Sequence, residues 1–151
     1  MDPRIVNPFL QAAREVTAQV LGRDIFYQKP YMKKTPFISS GILVIIGMVG
    51  AVKGKIMVSV SYQDWERIAE IMMQHLDGDS REFGESAIAE FGNMLAGTTS
   101  KYLAEGEIDM IITNPTVLEG EKIKVSQQEE PIAIPAIIGN DLEIMFYISL
   151  E

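Results

Sequence analysis

Apolar residues recur at helical spacing along the first twenty positions: Ile5, Val6, Phe9, Leu10, Ala13, Val16 and Val20 step by three or four and would share one face. Asp2 followed by Pro3 offers an N-cap with proline at the first helical position, and Gly22 offers a stop, so the pattern predicts a helix over about 3–21. Pro30 and Pro36 bracket a polar, basic connection. Beyond it, Phe37 to Gly47 and Val52 to Ser61 read as two strands joined around Gly50, most economically as a hairpin. Ser61 and Asp64 have capping-box spacing and open a helix through Trp65, Ile68, Ile71, Met72 and Leu76, which Asp77-Gly78 stops. Asp79 with Glu82 repeats that spacing, and a second helix runs from about Ser80 to Ala104 before Gly106 ends it. From Ile108 onward, short β-branched and apolar runs are broken by Asn114-Pro115, Gly120, Pro131, Pro135 and Gly139-Asn140-Asp141. They predict three or four antiparallel strands, ending in Leu142 to Leu150. Helix, two strands, two helices and several strands argue for an α+β fold rather than repeated βαβ units.

The stretch SAIAEFGNMLAG, Ser86 to Gly97, departs from a plain amphipathic helix. Residues 86, 90, 93 and 97 are separated by steps of four, three and four, and at about 100° per residue they fall within a stripe roughly 60° wide. Ile88, Phe91, Leu95 and Tyr102 cluster on the other side, where a core stripe is expected. Gly92 and Gly97 each cost about 1 kcal/mol relative to alanine inside a helix, so something should compensate. One explanation is close approach of another backbone to the small residues, with Glu90 solvated. The other is a docking face, on which Glu90 offers a charge and the Asn93 carboxamide both donates and accepts hydrogen bonds. An amide of that kind orients a water without acting as a base, as glutamine does in GTP hydrolysis.

The 151 residues, 47% hydrophobic and 23% charged, fit one globular domain spanning 1–151. With no cysteine, disulfides, zinc-thiolate sites and thiol catalysis are excluded, and the single histidine, His75, leaves little for a metal site beyond carboxylates. No metal site is therefore expected. A net charge of −8 without a clustered basic stripe disfavours nucleic acid and anionic membranes as partners. The most apolar run, Gly41 to Val52, is too short for the ~20 residues of a membrane-spanning helix. MDPRIVNPFL lacks the layout of a signal peptide, and a cytoplasmic location is expected. No P-loop, dinucleotide fingerprint, H-E-x-x-H or EF-hand loop occurs, and Gly47, Gly50 and Gly54 read as strand and turn glycines. Met72, Met73 and Met94 read as adaptable core filling, and Glu119, Glu121, Glu129 and Glu130 as solvated edges.

Ser86-x3-Glu90-x2-Asn93-x3-Gly97 resembles the signature of the CheC/CheX/FliY family of chemotaxis phosphatases, and SAIAEFGNMLAG is most similar to the CheX branch. MDPRIVNPFL, GMVGAVKGKIMVSVS (Gly47 to Ser61) and ITNPTVLEG (Ile112 to Gly120) resemble CheX segments in the same order, so the likeness covers most of the chain. The resemblance implies a CheC-like α+β fold: two long helices plus a shorter one on a mainly antiparallel sheet, with an internal pseudo-repeat. In the matching first-helix stretch, Gln11 to Gly22, Glu15 stands where the glutamate would be, but Ala18 replaces the asparagine. One functional face per chain is therefore expected, together with a homodimer formed through the sheets.

By the same resemblance, the substrate is the aspartyl phosphate of a phosphorylated CheY-type response regulator. Asn93 would position the attacking water, and Glu90 would pair with the regulator's lysine. Ser86 and Gly97 would contact the partner, Ser86 as a helix-surface residue rather than a nucleophile, because the nearest basic side chains are Arg81 and Lys101. No cofactor of this chain's own is implied, and the regulator would supply Mg2+. Long-range steering by a chain of charge −8 toward an acidic pocket is expected to be weak unless a local basic rim, from Lys101 or elsewhere, offsets it. The rival readings are a noncatalytic regulator-binding or scaffold module using the same face, and a structural dimer in which Glu90 and Asn93 are buried.

Overall fold

The computed structural model describes residues 2–75 and 80–151, with side chains described for 2–74 and 87–151. Helix α1 spans Pro3–Leu21 and is followed by β1 (Ile25–Tyr27), β2 (Tyr31–Met32), β3 (Phe37–Gly50) and β4 (Gly54–Val60). Helix α2 (Tyr62–His75) comes next, and then α3 (Ser80–Glu105) precedes β5 (Met110–Ile112), β6 (Thr116–Val125), β7 (Ile132–Ile138) and β8 (Leu142–Leu150). The caps act as the sequence anticipates. Asp2 accepts the Arg4 amide at 3.0 Å, and Gly22 closes α1 in the left-handed conformation at φ 62°. Ser61 Oγ accepts the Asp64 amide at 3.1 Å, but the reciprocal arm of the capping box is not used. The Asp64 carboxylate instead accepts the Glu143 amide on β8, at 3.2 Å, and so ties α2 to the sheet. The stop at Leu76 to Gly78 and the cap at Asp79 lie outside the described residues, as do the side chains of His75 and Glu82.

The strands form one eight-stranded sheet in the order β1-β7-β8-β4-β3-β5, with β2 also on β7 and β6 also on β3. Exchanging each of β1–β4 with the strand four later reproduces this order read backwards. Each long helix leads four strands, and the two halves meet where β4 pairs with β8. That is the internal pseudo-repeat, with α2 inserted between its halves. All the described strand pairs are antiparallel.

The sheet carries two apolar faces. Ile42, Val44, Ile46 and Met48 of β3 alternate with Leu43 and Ile45; the former join α1, α2 and α3 in the main core, with Phe9, Phe146 and Met72 fully enclosed. Leu43 belongs to a smaller core on the opposite face with Phe37, Met57, Val125, Ala133 and Tyr147. The Phe37 and Tyr147 rings lie 4.7 Å apart there. Burial on both faces explains why β3 reads as an unbroken apolar run. Gly41 marks a register shift in β3, and a Cβ at that position would meet Val60 O at 2.5 Å.

Three expectations are revised by these contacts. The connection after α1 contains two short strands, whose pairing (Ile25 with Ile138, Tyr31 with Ala133) is supplied by β7 rather than by local pattern. Strand β3 runs on to Gly50, so the hairpin turn falls at 51–53. Of the three helical methionines, only Met72 is fully buried; Met73 and Met94 are half-buried.

Candidate functional site

Helix α3 packs Ala87, Ile88, Phe91, Leu95 and Leu103 into the main core, which turns Glu90, Asn93, Gly97 and Lys101 outward. Glu90 and Asn93 are both exposed and, three residues apart, present neighbouring side chains on one face, with Cβ atoms about 5–6 Å apart. Ser86 lies on the same helix, but its side chain falls outside the described residues, so its contact role is left untouched. Single-chain burial of Glu90 and Asn93 is not observed, and the pair is free to meet a partner from outside.

The two glycines of the motif separate cleanly. A Cβ on Gly92 would lie 3.0 and 3.1 Å from the ring carbons of Pro115 and 3.4 Å from Val44 Cγ1. Gly92 therefore allows α3 to settle close against the sheet, although what approaches it is the side chains of Pro115 and Val44 rather than the backbone expected. At Gly97 a Cβ would meet nothing within 4 Å. Internal packing does not require glycine there, and its helix-propensity penalty of about 1 kcal/mol is uncompensated within the chain. Gly97 keeps the exposed face low beside Asn93. One turn further on, Thr99 is buried and its hydroxyl donates to Leu95 O at 2.7 Å, so that hydroxyl is satisfied within the helix.

The neighbouring helix α1 runs antiparallel to α3, its beginning lying beside the end of α3 across Asn7, Gln11, Tyr102 and Glu105. Its motif counterpart is already occupied. Glu15 accepts a hydrogen bond from the Tyr102 hydroxyl at 2.9 Å, and Ala18 is exposed without any polar group. The bond to the Glu15 carboxylate, helped by burial and by the charges of Glu15 and Glu105, raises the Tyr102 phenol above its ordinary range. Only the α3 half of the two-helix surface therefore presents a free carboxylate with a carboxamide.

Several surface concavities lie elsewhere. One of about 420 Å³ is bounded by Ser59, Asp64 and Glu143, and another of about 470 Å³ by Lys53, Gln127 and Glu151. Neither borders Glu90 or Asn93. Among the described residues, no group of three or more His, Asp or Glu side chains could hold a metal ion, and no helix is long and apolar enough to cross a membrane. A projecting polar stripe on a rigid helix suits a macromolecular partner better than a small ligand, which would need a concave site. The sequence had already singled out Glu90, Asn93 and Gly97; that Lys101 continues their stripe was readable from its four-residue step beyond Gly97.

The fold and site thus define an α+β protein with a palindromic sheet and, on its second long helix, an exposed face that carries Glu90, Asn93 and Gly97. The chain belongs to the CheX family: the model for the chemotaxis phosphatase CheX matches residues 42–136. Its likeness to the CheY-P phosphatase CheX of Thermotoga maritima is 27% identity over 152 residues, covering 100% of this chain and 98% of the relative. The crystal structure of CheX from Desulfovibrio desulfuricans superposes with a TM-score of 0.84 at 25% identity, covering 97% of this chain and 99% of that one. The CheX of a CheX–CheY–BeF3–Mg2+ complex from Borrelia burgdorferi does so with a TM-score of 0.78 at 25% identity, covering 97% of each chain.

Proposed function

We propose that this protein hydrolyses the aspartyl phosphate of a CheY-type response regulator, with Asn93 positioning the attacking water and Glu90 docking against the regulator's active-site lysine. The observation that carries the reading is the paired exposure of Glu90 and Asn93 on α3, beside a glycine for which internal packing gives no reason. Membership of a phosphatase family and the likeness to a CheX bound to CheY, BeF3 (a phosphoryl mimic) and Mg2+ support the choice of substrate.

In this reaction water oxygen bonds to phosphorus, the bond from phosphorus to the aspartyl oxygen breaks, and the carboxylate leaves with its electron pair. The products are free aspartate and inorganic phosphate, the water's proton passing to phosphate or solvent. Mg2+ held by the regulator neutralises phosphoryl charge. This chain contributes geometry: the Asn93 amide accepts from and donates to groups around the water line, and an amide needs no titration to do so. Glu90 fixes the approach of the two proteins by pairing with a lysine. Neither residue needs a metal or cofactor held by this chain. Ser86 and Gly97 complete the contact surface, one as a hydroxyl and the other as a space. The proposal takes the chain to work as one domain, in the cytoplasm where its substrate acts, and as a homodimer; the exposed apolar side chains Phe26, Val49 and Ile111 near the sheet edges favour a second copy there.

The test is phosphate release from a phosphorylated CheY-type regulator of the same genome, with Mg2+. The wild-type chain is expected to accelerate release, and Asn93→Ala to lose that acceleration by about 10²-fold through misplaced water, while still binding. Glu90→Ala is expected to raise KM. Binding without acceleration by the wild type would defeat the catalytic assignment and leave a noncatalytic docking module.

A further inference from the structure

The geometry points to Lys101 as a docking residue that sets the rate and salt dependence of encounter with the phosphorylated regulator. The inference rests on the function proposed above and adds a residue to its surface. Four observations lead to it. Lys101 is exposed and lies four residues beyond Gly97, so at about 100° per residue it shares the stripe of Glu90 and Gly97 to within roughly 40°. It forms none of the ion pairs among the described residues. Glu105, one turn further along α3, does not hold it. Its ammonium rests 5.2 Å from the centroid of the adjacent Tyr102 ring, which Glu15 anchors through its hydroxyl.

Helix chemistry does not account for a lysine here. Stabilisation of a helix by cations falls off within its last turn, and the last turn of α3 contains no basic residue. Lys101 stands before that turn. The chain as a whole carries a net charge of −8, which by itself repels an anionic partner.

The phosphorylated partner site is anionic. An aspartyl phosphate contributes close to two negative charges, and Mg2+ beside it is held by one or two carboxylates together with the phosphate, so these ligands jointly outweigh its own charge. A free cation on the approaching stripe answers that field. Lys101 lies eight residues from Asn93, about 12 Å along the helix. It therefore sits at the rim, outside the reacting atoms. Rim charges act on association and its salt dependence and leave the chemical step alone.

Reversing the charge at roughly 10 Å from about two partner charges in water predicts a loss of about ten-fold, and neutralising it about three-fold. The experiment measures kcat and KM for phosphate release from the same regulator, at low and at about 0.5 M salt, for wild type, Lys101→Ala, Lys101→Glu and Lys122→Glu. Lys122 is an exposed cation on β6, remote in sequence from the stripe, and controls for net charge. Expected is a fall of about ten-fold in kcat/KM for Lys101→Glu at low salt, unchanged kcat, convergence with wild type at high salt, and no such loss for Lys122→Glu. Equal losses for both reversals would overturn the inference in favour of net charge, as would no loss for either or a fall in kcat. If the wild type itself fails to accelerate release, the phosphatase reading falls and this inference falls with it; wild-type activity with an indifferent Lys101→Glu removes this inference alone.

Discussion

Alanine at Gly92 and alanine at Gly97 should move stability in opposite directions, although both glycines interrupt the same helix five residues apart. Each replacement removes a helix-interior glycine, worth about 1 kcal/mol in favour of folding. At Gly97 nothing lies within 4 Å of the new methyl, so the gain is kept and Tm should rise by about 2–4 °C. At Gly92 the methyl would stand 3.0 Å from Pro115 Cγ and 3.1 Å from Pro115 Cβ, inside the ~3.5–4.0 Å of ordinary carbon contact. The proline ring cannot rotate away, and Val44 Cγ1, at 3.4 Å, belongs to the core strand behind it. Overpacking of this kind costs about 1–3 kcal/mol, which outweighs the propensity gain and leaves Gly92→Ala about 1 kcal/mol less stable. Urea unfolding of wild type and both variants, with the midpoint shifting at constant m, reads the two signs directly. A Gly92→Ala protein as stabilised as Gly97→Ala would refute the claim that helix and sheet are in limiting contact. The same pair separates structure from function: Gly97→Ala should gain stability yet lose kcat/KM on the phosphorylated regulator, because its methyl raises the docking face beside Asn93. Undiminished kcat/KM would remove the steric role assigned to Gly97.

Two further outcomes follow from contacts described above. Ser61→Ala deletes the acceptor for the Asp64 amide at the start of α2 and should lower stability by about 1 kcal/mol in urea, with an unchanged midpoint ruling out the cap. Burial, assisted by nearby Tyr31, pushes the Tyr147 phenol up to about 12, so the folded state holds its proton while the unfolded chain releases it near pH 10. The unfolded state then binds fewer protons, and stability is full below about pH 10 and declines as pH rises toward 12. Urea titrations at pH 9 and 11 should show the decline, of about 1 kcal/mol from this residue at pH 11, and Tyr147→Phe should reduce it; an identical decline in the variant would place the titration elsewhere.

Much of this protein follows from local rules that a sequence carries openly. The helical spacing of Ile5 to Val20 between Asp2-Pro3 and Gly22 gives α1 its bounds, because capping and periodicity are properties of neighbouring residues. The stripe 90, 93 and 97 likewise needs only the pitch of a helix, and the motif at those positions pointed to the family before any contact was known. What spacing left open was which glycine served packing: Gly92 and Gly97 look alike in sequence, and only the position of Pro115, more than twenty residues away, distinguishes them. Strands β1 and β2 were hidden for a related reason. They are 3 and 2 residues long, and the hydrogen bonds that make them strands come from β7 over a hundred residues later. The Glu15–Tyr102 bond joins positions 87 apart, so the occupied half of the helix surface also depended on how α1 and α3 pack. Sequence by itself determined the helices, the long strands and the residues of the exposed stripe on α3, since these rest on patterns within a few residues. Tertiary structure decided the palindromic order of the sheet, the second core beneath it and the side of α3 left open, because these depend on which distant surfaces bury one another.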